Sequence, residues 1–158
     1  MGQLSALIAD KLVAFDSAPL IYYIEEHPDY LLLVDELFDE FDSGAARGMT
    51  SVLTLHEVLI KPLRDGRLEL ADKYRQVLAN STNVALHLID APTCETAARM
   101  RAKYGWLRTP DALQIAAAIT HKAEIIVTND ERWQNLTEVS VVVLRNLAES
   151  ATGLEPSS

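Results

Sequence analysis

Short apolar runs recur along the chain, each followed by a longer stretch whose apolar residues return every three or four positions. The first pattern predicts a buried strand and the second an amphipathic helix. Read in order, it predicts a helix over 3–12, a strand at 13–15, a helix over 20–26 and another over 30–42. Leu33, Leu37 and Phe41 share one face of that last helix. Residues 49–51 form a short strand, and a helix follows over 52–63, stopped near Pro62. Further helices cover 64–79 and 91–104, with a strand at 84–89 between them. The stretch 108–130, RTPDALQIAAAITHKAEIIVTND, predicts a helix capped by Thr109 with Pro110 in its first turn, then a buried strand at 124–128. A short helical turn at 131–136 and a last strand at 139–144 complete the pattern. The polar end, 148–158, reads as a frayed tail.

Strands alternating with helices predict a parallel sheet covered on both faces, a three-layer α/β/α sandwich of about five strands. The expected division is one domain over 1–147, with 1–12 as an extra N-terminal helix and 148–158 as a flexible tail. At 158 residues with 49% hydrophobic content, the chain can bury a core. No apolar run approaches ~20 residues, so no membrane contact is expected. The N-terminus lacks the basic start of a signal peptide. A single cysteine, Cys94, excludes an internal disulfide and thiolate metal clusters, and a cytoplasmic location is the expectation. Near a helix start, Cys94 reads as a small buried residue. The four histidines show no paired zinc-binding spacing.

The formal net charge is −9. That excess disfavours a nucleic-acid coat protein, but carboxylates loaded with divalent metal present a positive face, so a nucleic-acid enzyme is compatible with it. Asp16 and Asp130 stand at strand ends, Asp111 in the first turn of a helix, and Glu57 one to two turns into another. Each has an ordinary reading. Asp16-Ser17 suits a helix cap, Thr54-Leu-His-Glu57 fits a capping box, Asp111 complements a helix dipole, and Asn129-Asp130 suits a turn. Caps and turns have no reason to collect at one sheet edge, however. Gathered acids repel one another, and hard divalent cations such as Mg²⁺ or Mn²⁺ relieve that repulsion through oxygen ligands. If the four converge, they point to metal-assisted phosphoester hydrolysis.

The segments AFDSAPLIYYIEE, TSVLTLHEVL, RTPDALQIAAA and IIVTNDERW resemble the four acidic motifs of the PIN-domain family, which includes the VapC-type toxin ribonucleases of bacterial toxin–antitoxin pairs. The resemblance spans roughly 13–143. It implies a Mg²⁺- or Mn²⁺-dependent ribonuclease with Asp16, Glu57, Asp111 and Asp130 as metal-binding acids. Ser17 and Thr128 would orient ligands or substrate, and Arg108 and Arg132, flanking the acids, would contact phosphate. It also implies a homodimer and, for a toxin, a small antitoxin partner. The family often carries Asp-Thr-Asn or Asp-Thr-Ser after its first strand; here the residues are Asp16-Ser17-Ala18, which removes one polar side chain near the site. The helix before Val13 is an addition, expected on the sheet edge or at a dimer or antitoxin surface. Trp133 lies close enough in sequence to Asp130 to be weighed as a base-stacking ring, with packing as the ordinary reading. Two rivals remain at this level. One is a receiver-type phosphorylation switch, for which the acids are incomplete. The other is a catalytically silent PIN-like scaffold.

Overall fold

The computed structural model describes residues 2–152. Its centre is a five-stranded sheet of β1 (Leu12–Phe15), β2 (Arg47–Ser51), β3 (Val84–His87), β4 (Ile125–Thr128) and β5 (Ser140–Val143), ordered β3-β2-β1-β4-β5. All neighbours are parallel. Among the described residues eight α-helices connect and flank them: α1 (Gln3–Ile8), α2 (Ser17–Ile24), α3 (Leu31–Ser43), α4 (Val52–Arg64), α5 (Leu68–Asn80), α6 (Ala91–Lys103), α7 (Thr109–Thr120) and α8 (Leu144–Thr152).

Side chains alternate across a strand, so a parallel register sorts whole rows to one face. Ala14 of β1 pairs with Met49 of β2 and Ile126 of β4, and these three lie in one core with Ala97 and Met100 of α6 and Ile115 and Ala116 of α7. Val13 and Phe15, paired with Ile125 and Val127, enter the opposite core with Leu20, Leu37, Phe41, Tyr74 and Leu144. The result is the expected three-layer α/β/α sandwich. The small residues of α7 let it lie close to the sheet. Close approach also decides Gly48, where a Cβ would stand 2.8 Å from the Phe41 ring.

The details depart from the sequence pattern at several places. The first helix stops at Ile8. Leu4 and Ile8 are fully buried, and Ser5 donates from N (2.8 Å) and Oγ (2.6 Å) to Glu36 Oε1 of α3, so the added helix packs on α3 rather than the sheet edge. Helix α4 runs through Pro62, which is buried in its last turn, and Gly66 at φ +69° separates it from α5. The expected tail is helical through Thr152, because Leu144 and Leu147 both find the core; 153–158 lie outside the described residues. Cys94 is exposed, not buried. Trp133 is 1% exposed under a 3-10 turn (Glu131–Asn135), so it packs and presents no face to a base. Among the described residues no helix is long and apolar enough to cross a membrane.

Candidate active site

The strand order reverses direction at β1 and β4: the chain moves from β1 outward to β2 and β3, then crosses to β4 and β5. In open parallel sheets, the crevice at such a switch point, outside the carboxyl ends of the strands, is where ligands bind. A receiver domain, of flavodoxin-like order 2-1-3-4-5, has a different arrangement, which removes that rival. Asp16 follows β1 directly, and Thr128 ends β4 beside it. Helix α7 runs back across the sheet from this edge, which brings its first turn, with Asp111, to the same place. Glu57 reaches it from α4, which leaves the carboxyl end of β2.

Asp16 occupies the N-cap position of α2 but makes no side-chain cap bond. Instead its Oδ2 accepts a 2.7 Å hydrogen bond from Thr128 Oγ1, while its Oδ1 is buried without a partner. Burial, opposed by the Thr128 bond and reinforced by the charges of Glu57 and Asp111, pushes the Asp16 carboxyl up to about 7. That coupling shows Glu57 and Asp111 within electrostatic reach of Asp16. Asp111 is itself raised, first by burial, with Arg108 pulling it down and Asp130 pushing it up. The four acids therefore form a connected run: Glu57, Asp16, Asp111, Asp130.

Each neighbour of Asp16 has a local partner. Glu57 accepts from the buried Ser17 hydroxyl, and the capping-box reading fails because Ser51 caps α4 through Leu53 N–H. Arg108 Nε lies 3.8 Å from Asp111 Oδ2 on a side chain 78% exposed. Asp130 is gripped by Arg132: Oδ1 accepts from its backbone N–H and from Nε–H, and Oδ2 from Nη2–H at 2.7 Å. This bond holds the Asp130 carboxyl below the usual range. The turn reading of Asp130 is thus realised together with its place at the site. Thr128 Oγ1 also accepts from Asp130 N–H, so one hydroxyl ties the two strand-end acids. Arg132 lies 5.6 Å from the Trp106 ring centre, and Trp106, not Trp133, is the tryptophan beside the acids. Thr109 does not cap α7; Arg108 holds that position, and Thr109 Oγ1 accepts from Arg101.

The pattern of the sequence missed the support beneath the acids. Ser51 Oγ donates to Gln114 Oε1 (2.8 Å), and Gln114 Nε2 donates to Thr54 Oγ1 (2.9 Å). Thr54 donates to Thr50 (2.7 Å), and Thr50 to the carbonyl of Phe15 (2.6 Å), the residue before Asp16. Every hydroxyl in this buried chain is satisfied in one direction, which orients β2, α4 and α7 around the end of β1. Its signal was Gln114, a lone polar residue inside an apolar helix and one turn after Asp111.

Among the described residues, no three Asp, Glu, His or Cys already stand as a metal-holding group. The donor set nevertheless fits a hard divalent cation: the donors are all carboxylate oxygens, and the central one has a buried, partnerless atom and a carboxyl reluctant to carry its charge.

The model of the PIN domain family matches residues 13–139, most of the chain. Among curated proteins none is similar enough in sequence to count as a match. Three solved structures share the fold at low identity. VapBC2 from Rickettsia felis, bound to a promoter DNA fragment, is 15% identical, with a TM-score of 0.67 over 84% of this chain and 98% of that one. A toxin–antitoxin complex from Klebsiella pneumoniae is 19% identical, with a TM-score of 0.65 over 84% and 97%. DNA-bound VapBC from Salmonella typhimurium is 15% identical, with a TM-score of 0.63 over 85% and 98%. With four of the five parallel strands inside the 13–139 match, which covers well over half of the sequence, the chain belongs to the PIN-domain family.

Proposed function

We propose that this protein is a Mg²⁺- or Mn²⁺-dependent endoribonuclease that hydrolyses RNA phosphodiester bonds, and that it is the toxin of a type II toxin–antitoxin pair. The observation that carries the reading is Asp16: a carboxylate oxygen buried without a partner, at the sheet's switch point, within reach of two further acids. A structural residue has no reason to keep that arrangement, since an unpaired buried charge is costly. The similarity to toxin–antitoxin complexes supports the biological role and a small antitoxin partner; a homodimer and a cytoplasmic setting belong to the same proposal.

Asp16 and Asp111 would hold the principal ion, with Glu57 and Asp130 completing the site. Such an ion supplies positive charge to the scissile phosphate and makes water a better nucleophile at neutral pH. Thr128 fixes the Asp16 carboxylate by one oxygen and leaves the other available. Ser17 holds Glu57 in the same way. Asp130 serves as a ligand only when Arg132 lets go, and the released guanidinium, over Trp106, is then available to a backbone phosphate. Arg108, long and exposed beside Asp111, can do the same from the other flank.

The test is RNA cleavage with Mn²⁺ or Mg²⁺, with EDTA, and by Asp111→Asn, which removes one ligand charge while barely changing volume. Metal-dependent cleavage lost in the variant supports the reading. No cleavage of varied RNAs, together with no rise in melting temperature on adding metal, overturns it. The second reading, a silent scaffold, draws on the bidentate Arg132–Asp130 pair, which already neutralises one of the four acids.

A further inference from the structure

From the C-terminal half of α2 to the start of α3 lies a cluster that the metal site does not use. Tyr22 and Tyr30 stack with ring centres 4.8 Å apart and planes 19° off parallel. His27 closes the group at 4.8 Å from Tyr22 and 5.0 Å from Tyr30. Asn129, between Thr128 and Asp130, binds this cluster to the site: its Nδ2 donates to Tyr22 Oη at 3.2 Å, and its Oδ1 accepts from Arg145 N–H at 2.8 Å. Tyr30 is half-buried and lines an open cleft of about 420 Å³ with Pro28, Asp29, Arg145, Ala148 and Glu149. The Arg145 guanidinium, half exposed, lies beside the Tyr30 hydroxyl and pairs with Glu131 Oε1 at 3.4 Å.

We propose that this cleft binds one unpaired nucleobase of a single-stranded RNA whose backbone runs past the acids. The inference rests on the ribonuclease reading and deepens it by naming a subsite for one base of the substrate. Three features select a base. A tyrosine ring held rigid by a second ring offers a flat surface at little entropic cost, and stacking on such rings is how unpaired bases are captured. One guanidinium shares the cleft with two carboxylates, Asp29 and Glu149, so the pocket is poor for a phosphate diester and suited to a neutral ring bearing both donors and acceptors. Asn129 links the cleft to the strand end between Thr128 and Asp130, so a base seated there sets the register of the chain at the acids. A duplex cannot present such a base without unpairing it.

The experiment uses the full chain carrying Asp111→Asn, so that RNA is bound but not cut, and fluorescence anisotropy with short labelled RNAs in Mg²⁺. Tyr30→Leu keeps an apolar side chain and loses the ring; Tyr30→Phe keeps the ring. Single-stranded RNA should bind about tenfold more weakly to the Leu variant, the loss of one base–aromatic stack, and within about twofold of the parent to the Phe variant. An RNA with abasic sites throughout should bind both alike. Arg145→Gln, at an exposed position, should weaken single-stranded RNA several-fold and serves if Tyr30→Leu fails to fold. With Asp111 intact, Tyr30→Leu should raise KM with little change in kcat. Unchanged affinity and KM in both Tyr30→Leu and Arg145→Gln, with cleavage intact, overturn the base subsite and leave the ribonuclease standing. Duplex RNA bound as tightly as single strands also overturns it. No binding and no cleavage by any form overturn both together.

Discussion

If Asp16 Oδ1 is buried without a partner as the structure shows, the metal-free protein is held back by its own central acid, and Asp16→Asn relieves it in a pH-dependent way. In the unfolded chain this carboxyl titrates near its ordinary 3.8; in the folded protein burial and the neighbouring acids raise it to about 7. Between those values the folded state keeps a proton that the unfolded state releases, so stability falls as pH rises and levels off above the upper one. At about 1.4 kcal/mol per pKa unit, the charged form costs about 4 kcal/mol at pH 8, with roughly a third of that already present at pH 5. Asn carries no charge. It keeps an oxygen for the Thr128 hydroxyl but buries an N–H₂ where Oδ1 lies unpartnered, at a cost of about 1–3 kcal/mol that does not vary with pH. The stability of Asp16→Asn relative to the native chain should therefore increase by about 2–3 kcal/mol from pH 5 to pH 8. Urea unfolding in EDTA at several pH values measures it, and the difference between the two proteins cancels the titration of distant carboxylates. Two parallel curves would refute the reasoning, because they would mean that water reaches Oδ1 and the carboxylate bears its charge freely.

Saturating Mg²⁺ or Mn²⁺ should reverse that order, stabilising the native chain by about 3 kcal/mol at 100 times its dissociation constant and leaving Asp16→Asn nearly unmoved; differential scanning fluorimetry reads both. Gln114→Leu keeps the volume but removes the acceptor of the Ser51 hydroxyl and the donor to Thr54, and should cost about 2–4 kcal/mol in urea unfolding. Gly48→Ala forces a methyl against the buried Phe41 ring, 2.8 Å from the new Cβ, and should cost about 1–3 kcal/mol by overpacking. His87, stacked on His121 with ring centres 3.5 Å apart, is held below its ordinary 6.5, first by burial and then by His121. Its contribution is complete above pH 6.5 and lost as pH falls further, so His121→Gln should recover the smaller part of that loss, measured as melting temperature against pH.

The chain's own pattern determined most of the architecture. Apolar runs such as Ile125–Thr128, too short for helices and followed by a turn, have few ways to be buried except as central parallel strands, and the order of strands and helices implies the layers. The four acids could be nominated from the sequence because they fall in segments that resemble the family's acidic motifs, and three of them, Asp16, Asp111 and Asp130, sit at element boundaries. Strand order was not written in that pattern. The pairing of β1 with β4, rather than with a nearer strand, joins residues more than a hundred positions apart, and only the packing of both faces selects it. The same holds for what the acids do. Asp16 passes as a helix cap in sequence, and tertiary structure turns it to Thr128. Asp130 passes as a turn, and Arg132 makes it both turn and ion pair. Gln114, Thr50 and Thr54 are unremarked polar letters until three elements meet around them. Tyr30 and Arg145 lie 115 positions apart and share a cleft only because α8 returns beside the connection between α2 and α3. Local patterning acts through periodicity and capping, which neighbours in the chain decide. Desolvation, charge coupling and hydrogen-bond direction depend on which distant groups exclude water together, and the folded structure alone sets that.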